Sequence, residues 1–221
     1  MKTFASSLVA FLFTATLASA DWVLVQKTHA DGQDKEMLTK IKGEQARVDM
    51  GEQMSVIVGA EGMLMLMHAQ KVLMKMDLAT MKTAMEMTAK ASVPLDKQPV
   101  AKPVATGQKE KVGEWEAEIF TWEGPVGKGR FWVAKDFPKF AEINAVSDKL
   151  GKAVGNSMAG LSPQAADFNG MVVKSEMTMM GKSMTTLLVA AKEQEVEAKE
   201  FATPEGYSEM KMPAMPGAPP K

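Results

Sequence analysis

Met54-Ser-Val-Ile-Val-Gly-Ala-Glu-Gly-Met63-Leu-Met-Leu-Met67-His-Ala-Gln-Lys-Val-Leu-Met74-Lys-Met76 is the stretch whose reading decides the fold. Three short apolar runs are separated by Gly-Ala-Glu-Gly and His-Ala-Gln-Lys, turn chemistry at the spacing of an antiparallel meander. Successive side chains of a strand point to opposite faces, so Met63, Met65 and Met67 share one face and Leu64 and Leu66 the other. Both faces of this strand are apolar, and a sheet that is dry on both sides has to be covered on both. The nature of those covers is the functional question.

Upstream, the pattern continues as strands. Asp21 to His29 forms a first strand, Ala30-Asp-Gly-Gln-Asp34 a turn, and Glu36 to Lys42 a strand that sets Met37, Thr39 and Ile41 against Leu38, Lys40 and Lys42. Gly43 ends it, and Glu44 to Met50 repeats the device with Ala46, Val48 and Met50 facing inward. Six strands joined by short polar turns make an antiparallel sheet rather than a βαβ arrangement.

Downstream, Asp77 is an N-cap for an amphipathic helix over Asp77 to Lys90, with Leu78, Met81 and Met85 at helical spacing. Residues 91–106, carrying Pro94, Pro99 and Pro103 among lysines, read as a loop. Strands return at Gly107 to Val112, Glu114 to Trp122 and Gly129 to Lys135. Pro138 opens a second helix whose Phe140, Ile143, Val146, Leu150, Val154 and Met158 form one apolar seam, the best candidate cover for one dry face. Met171 to Met179 and Met184 to Ala191 form a final hairpin, with a further strand through Glu193 to Lys199. The expected fold is α+β and mainly antiparallel β, a curved half-barrel sheet of about ten strands with two helices packed on or across it.

The ends set the compartment. Lys2, the apolar Leu8 to Leu17 and Ala18-Ser19-Ala20 have the order of a cleavable signal peptide, with cleavage after Ala20 and a periplasmic or secreted destination. The chain has no cysteine, so neither a disulfide framework nor a lipid-accepting cysteine is expected. One domain over residues 21–210 is the economical reading, with 211–221 as a disordered, Pro-rich tail. The formal charge of −1 becomes −2 without Lys2, and no basic stripe is present, which disfavours nucleic acid. No further stretch has the length and hydropathy of a transmembrane span.

The second half carries a family pattern: Gly107, then Val112-Gly-Glu-Trp-Glu-Ala-Glu-Ile-Phe120, then Arg130-Phe-Trp-Val-Ala-Lys-Asp136, and Phe201-Ala-Thr-Pro-Glu-Gly-Tyr207. Together with Arg47-Val-Asp49, this resembles the exported bacterial domain-of-unknown-function family forty-four twelve, over roughly Trp22 to Met210. The resemblance implies an architecture similar to the periplasmic lipoprotein carriers LolA and LolB, a curved antiparallel half-barrel closed by helices over an apolar cavity. Methionine-rich runs and the Pro/Lys loop depart from that pattern.

Catalytic motifs are weak. Gly155-Asn-Ser157 lacks the second glycine of a nucleophile elbow. Gly181-Lys182-Ser183 lacks the first glycine of a phosphate loop, which falls on Glu176, and reads as a hairpin turn. Glu114, Glu116 and Glu118 read as a solvated strand face rather than a cation site. Methionine is the one compositional outlier, 21 of 221 residues against two histidines, and so carries the functional reading.

The expected function is a non-catalytic binding protein needing no cofactor. Its partner is an apolar small molecule or lipid, or a hydrophobic protein segment, held by Met54, Val56, Met63, Met65, Met67, Met74 and Met76 together with Ile143, Leu150, Val154 and Met158. Two alternatives stand beside it. One is a Cu(I) site built from Met63, Met65, Met67 and His68, since soft thioethers select Cu(I). The other is a structural envelope protein with a filled core and no ligand.

Overall fold

The computed structural model describes residues 21–77, 80, 101–124, 127–153, 162–179 and 181–210. The first half contributes β1 (Trp22–Ala30), β2 (Gln33–Lys42), β3 (Gln45–Met50), β4 (Met54–Gly59), β5 (Gly62–Met67) and β6 (Val72–Asp77). The second contributes β7 (Val104–Val112), β8 (Trp115–Gly124), β9 (Gly127–Ala134), the helix α1 (Phe140–Ala153), β10 (Met171–Met179), β11 (Lys182–Glu193) and β12 (Ser208–Glu209). All twelve strands form one open sheet in the order β12-β6-β5-β4-β3-β2-β1-β11-β10-β9-β8-β7. Every pairing is antiparallel except that of β12 with β6. The two halves meet where β11 returns to pair with β1.

The turns follow local chemistry. At the β4–β5 hairpin Gly59 pairs with Gly62, and Gly62 has φ +133° with the Met76 carbonyl oxygen pressed against the place where a Cβ would stand. Only glycine lets β6 close against β5 there.

Trp22 and Leu24 on β1, Ile41 on β2, Ala46 on β3, Ile119 on β8, Trp132 on β9 and Ile143 on α1 belong to one buried cluster. Trp22 and Trp115 both stack against Phe137, at centroid distances of 5.9 and 5.5 Å. Their strands, β1 and β8, are four strand spacings apart, about 19 Å along the sheet. Side chains that far apart on a flat sheet could not share one ring, so the sheet curves around this core and α1 closes it.

Several expectations are corrected. Among the described residues the strands number twelve rather than about ten: β7 begins at Val104, inside the expected loop, and β12 is a two-residue strand too short to show alternation. The strand expected over Glu193 to Lys199 is instead the end of β11, an extended segment and a 3-10 turn at Ala198–Phe201. One α-helix is delimited among the described residues. Of the other expected helix, the Asp77 carboxylate accepts the Thr80 N–H at 2.7 Å, the bond of an N-cap, and the rest lies outside the described residues. The signal-peptide segment, residues 91–100 of the loop and the tail 211–221 also lie outside them.

Candidate functional site

Alternation and register together build the site. On the α1 side of the sheet, cross-strand pairing lines up Met37, Met50, Met54 and Met67 as one lateral row running across β2 to β5 and ending at Val72. A second row is Val48, Val56, Met65 and Met74. The third, Ala46, Val58, Met63 and Met76, continues through Ile41 and Trp22 into the core under α1. Eight methionines therefore share one face of five adjacent strands. Exposure is graded across it: Val58 and Met63 are buried, Met65 and Met74 are half-buried, and Met50 at the turn end is 36% exposed.

The middle of the opposite face of the same strands is covered. Beyond β11 the chain crosses back over the sheet as a strap. The Gln194 N–H donates to the Asp21 carbonyl, and the Val196 N–H and Lys42 ammonium donate to the Asp21 carboxylate at 2.9 and 2.7 Å. Burial alone would raise the Asp21 pKa, but the bonds from Lys42 and Val196 and the Lys42 charge outweigh it and hold this carboxyl below its ordinary value. Further along, Lys40 and Arg47 grip Glu200. Val196 and Phe201 pack on Ile57, Leu66 and Leu73, with Tyr207 beside them, and β12 hydrogen-bonds to the β6 edge. Each such buried apolar side chain contributes roughly 1.5–3 kcal/mol.

Under the strap runs a polar chain. Ser55 Oγ lies 2.5 Å from Asp49 Oδ1 and 2.7 Å from His68 Nε2, and His68 Nδ1 lies 2.5 Å from the Tyr207 hydroxyl. A carboxylate only accepts, so Ser55 donates to Asp49, accepts from His68 Nε2–H, and the remaining ring nitrogen accepts the Tyr207 O–H. In a serine nucleophile the imidazole takes the hydroxyl proton and the carboxylate orients the imidazole. Here the carboxylate holds the serine proton and Ser55 is fully buried, so the arrangement ties the strap down.

The expected site residues are thus distributed as follows. Met54, Val56, Met63, Met65, Met67, Met74 and Met76 share the one face. Ile143 lies in the adjoining core cluster on the same side. Leu150 lies in α1 with its side chain outside the description, and Val154 and Met158 lie outside the described residues. His68 is separated from the methionines, since both of its ring nitrogens are engaged on the far face. Met37 and Met50 join the face through register, which alternation within each strand does not supply. Among the described residues no group of three His, Asp or Glu is placed to hold a metal ion. Glu116 and Glu118 pair with Lys109 and Lys135, and Gly181, at φ +81°, sits in the turn between β10 and β11. A cleft of about 750 Å³ at the other end of the sheet is lined by both signs of charge, including Lys128, Arg130, Glu123 and Glu176.

The strap accounts for the Phe201-to-Tyr207 motif, whose Phe fills the far-face core and whose Tyr anchors to His68. The model of the family described as Domain of unknown function (DUF4412) matches residues 23–207. The chain belongs to this family. Among solved structures, an uncharacterized conserved protein from Thermus thermophilus is similar at TM-score 0.52 and 8% identity, covering 89% of this chain and 92% of that one. This likeness concerns the fold alone. Weaker similarities are to PNGF-II, at TM-score 0.43 and 10% identity over 89% of this chain and 31% of that one, and to the Mycobacterium tuberculosis lipoprotein LppX, at TM-score 0.42 and 10% identity over 80% and 88%. No curated protein matches in sequence. Among the described residues no helix is long and apolar enough to cross a membrane.

Proposed function

We propose that this DUF4412 protein is an exported, non-catalytic binding protein that holds an apolar ligand, an acyl chain or the lipidated or hydrophobic segment of a partner, on the methionine face of β3 to β6. The observation that carries the reading is the asymmetry of this wing. Its far face is covered by the strap over Ile57, Leu66 and Leu73, while its α1-side face is apolar and runs from the buried Val56, Val58 and Met63 to the exposed Met50. Methionine is unbranched and polarizable, so a face built from it adapts to ligands of several shapes. An acyl chain laid on such a face gains about 0.8 kcal/mol for each methylene it buries.

Protein purified from its own host, extracted and examined by mass spectrometry, should carry lipid. The chain starting at Asp21 should bind a fluorescent fatty acid, and Met65→Glu, which sets a charge in the middle row, should abolish binding. Protein that is free of lipid and ignores the fatty acid removes the proposal and favours a structural role.

A further inference from the structure

We propose that the lateral row Met37–Met50–Met54–Met67 is a Cu(I) site made of thioethers alone. The register places Met50 directly opposite both Met37 and Met54, and Met54 directly opposite Met67. Directly opposed residues have Cβ atoms about 4.5–5.5 Å apart. The flexible, unbranched side chain of methionine lets neighbouring sulfurs converge on one ion between them. Three adjacent members, Met50, Met54 and Met67, supply a trigonal set, and Met37 a fourth sulfur.

The surroundings select the ion. No carboxylate or cation belongs to the row, whose flanks are Gln26 and Val72. Arg47 and Asp49 lie on the opposite face and are engaged there with each other and with Ser55. A hard cation finds no oxygen ligands, whereas a monovalent soft ion gains sulfur ligands without a change in its oxidation state. The other two rows hold only one methionine pair each, Met65 with Met74 and Met63 with Met76, too few for a trigonal set. Met50 is exposed and Met37, Met54 and Met67 are half-buried, so an ion can enter from the Met50 end of the row.

The test is anaerobic titration of the chain starting at Asp21 with Cu(I) against a chromophoric Cu(I) chelator. One equivalent should bind, and X-ray absorption should show sulfur alone in the first shell. The triple variant Met50→Leu, Met54→Leu, Met67→Leu conserves volume and should lose at least about 100-fold in affinity, the upper end of what perturbing a metal's supporting groups costs. Met63→Leu with Met76→Leu should leave affinity unchanged. Absence of Cu(I) binding, nitrogen or oxygen in the first shell, or full affinity in the triple variant each overturns the site. If the triple variant does not fold, the unaltered chain still decides: bound Ag(I) should protect Met50, Met54 and Met67 from sulfoxide formation by dilute peroxide, read by peptide mass spectrometry, and equal oxidation with and without Ag(I) counts against the site. Fatty-acid binding by the unaltered, copper-free chain separates this outcome from that of the apolar-ligand proposal.

Discussion

The two wings of the sheet are both three-stranded meanders, yet they are filled differently. In the second-half wing β7 is an exposed edge, but on β8 and β9 aromatic side chains close both faces: Trp132 is 1% exposed on the α1 side, and Trp122 and Phe131 are buried against Phe168 on the other. In β4 to β6 the far face is equally dry, with Leu66 at 0%, but the near face carries methionines of graded exposure. Aromatic rings fill volume with few rotatable bonds and defined geometry, whereas methionine fills it adaptably. The difference teaches that the chain places its rigid residues where the sheet needs a fixed shape and its flexible ones on the face whose exposure is graded.

The sharpest way to break that comparison is Trp132→Ala. The ring is fully buried in the central cluster, donates its Nε1–H to Glu110 at 2.8 Å and lies under Lys174. Denaturant unfolding should show a loss of about 3–5 kcal/mol. A loss under about 1 kcal/mol, a typical surface value, would mean the aromatic wing is not the rigid one. Phe201→Ala follows, since it removes the main apolar anchor of the strap and should cost about 3 kcal/mol. Hydrogen exchange should then accelerate in β5 and β6 and stay unchanged in β8 and β9. Equal acceleration in both wings would show that the strap serves the whole sheet rather than one face.

Smaller again is Met65→Leu with Met74→Leu, in the middle row of the methionine face. A volume-conserving exchange of this kind costs less than about 1.5 kcal/mol at each site, and on a half-buried, adaptable face the effect should sit at the low end. Thermal melts of this variant beside Trp132→Phe test whether the two wings differ in tolerance. A methionine wing that loses more than the aromatic one would reverse the assignment.

How much of this was legible beforehand depends on the range of the interaction. The meander, its alternation and the turn at Gly59 to Gly62 are local, and they follow from period and turn chemistry. The seam of α1 marked a cover for one face, and Ile143 fulfils it. The second cover was hidden because the strap has neither strand nor helix period. Its hold comes from single contacts made far along the chain, such as Arg47 to Glu200 and His68 to Tyr207. The same distance misassigned His68. It directly follows Met67 in sequence, but the chain turns there and its ring engages Ser55 and Tyr207 on the far face. Met37 and Met50 were each placed inward by alternation, and only the pairing of β2 with β3 sets them side by side.

The smallest effect concerns where the strap begins and has a defined sign in pH. The folded-state pKa of Asp21 lies below the ordinary aspartate value of 3.8, because the bonds from Lys42 and Val196 outweigh the opposing effect of burial. A depressed carboxyl favours the folded state in its ionised form, so its contribution is fully present above the unfolded value and is lost as pH falls through the folded one. The stability difference between the parent chain and Asp21→Asn should therefore be constant from neutral pH down to about 5 and shrink below 3.8. Phe201→Ala should show no such convergence, since its loss is apolar and does not titrate. If Asp21→Asn keeps a constant deficit down to about pH 2, well below the unfolded value, the strap is held at this end by shape rather than by charge, and the polar hold belongs to the Arg47–Glu200 end instead.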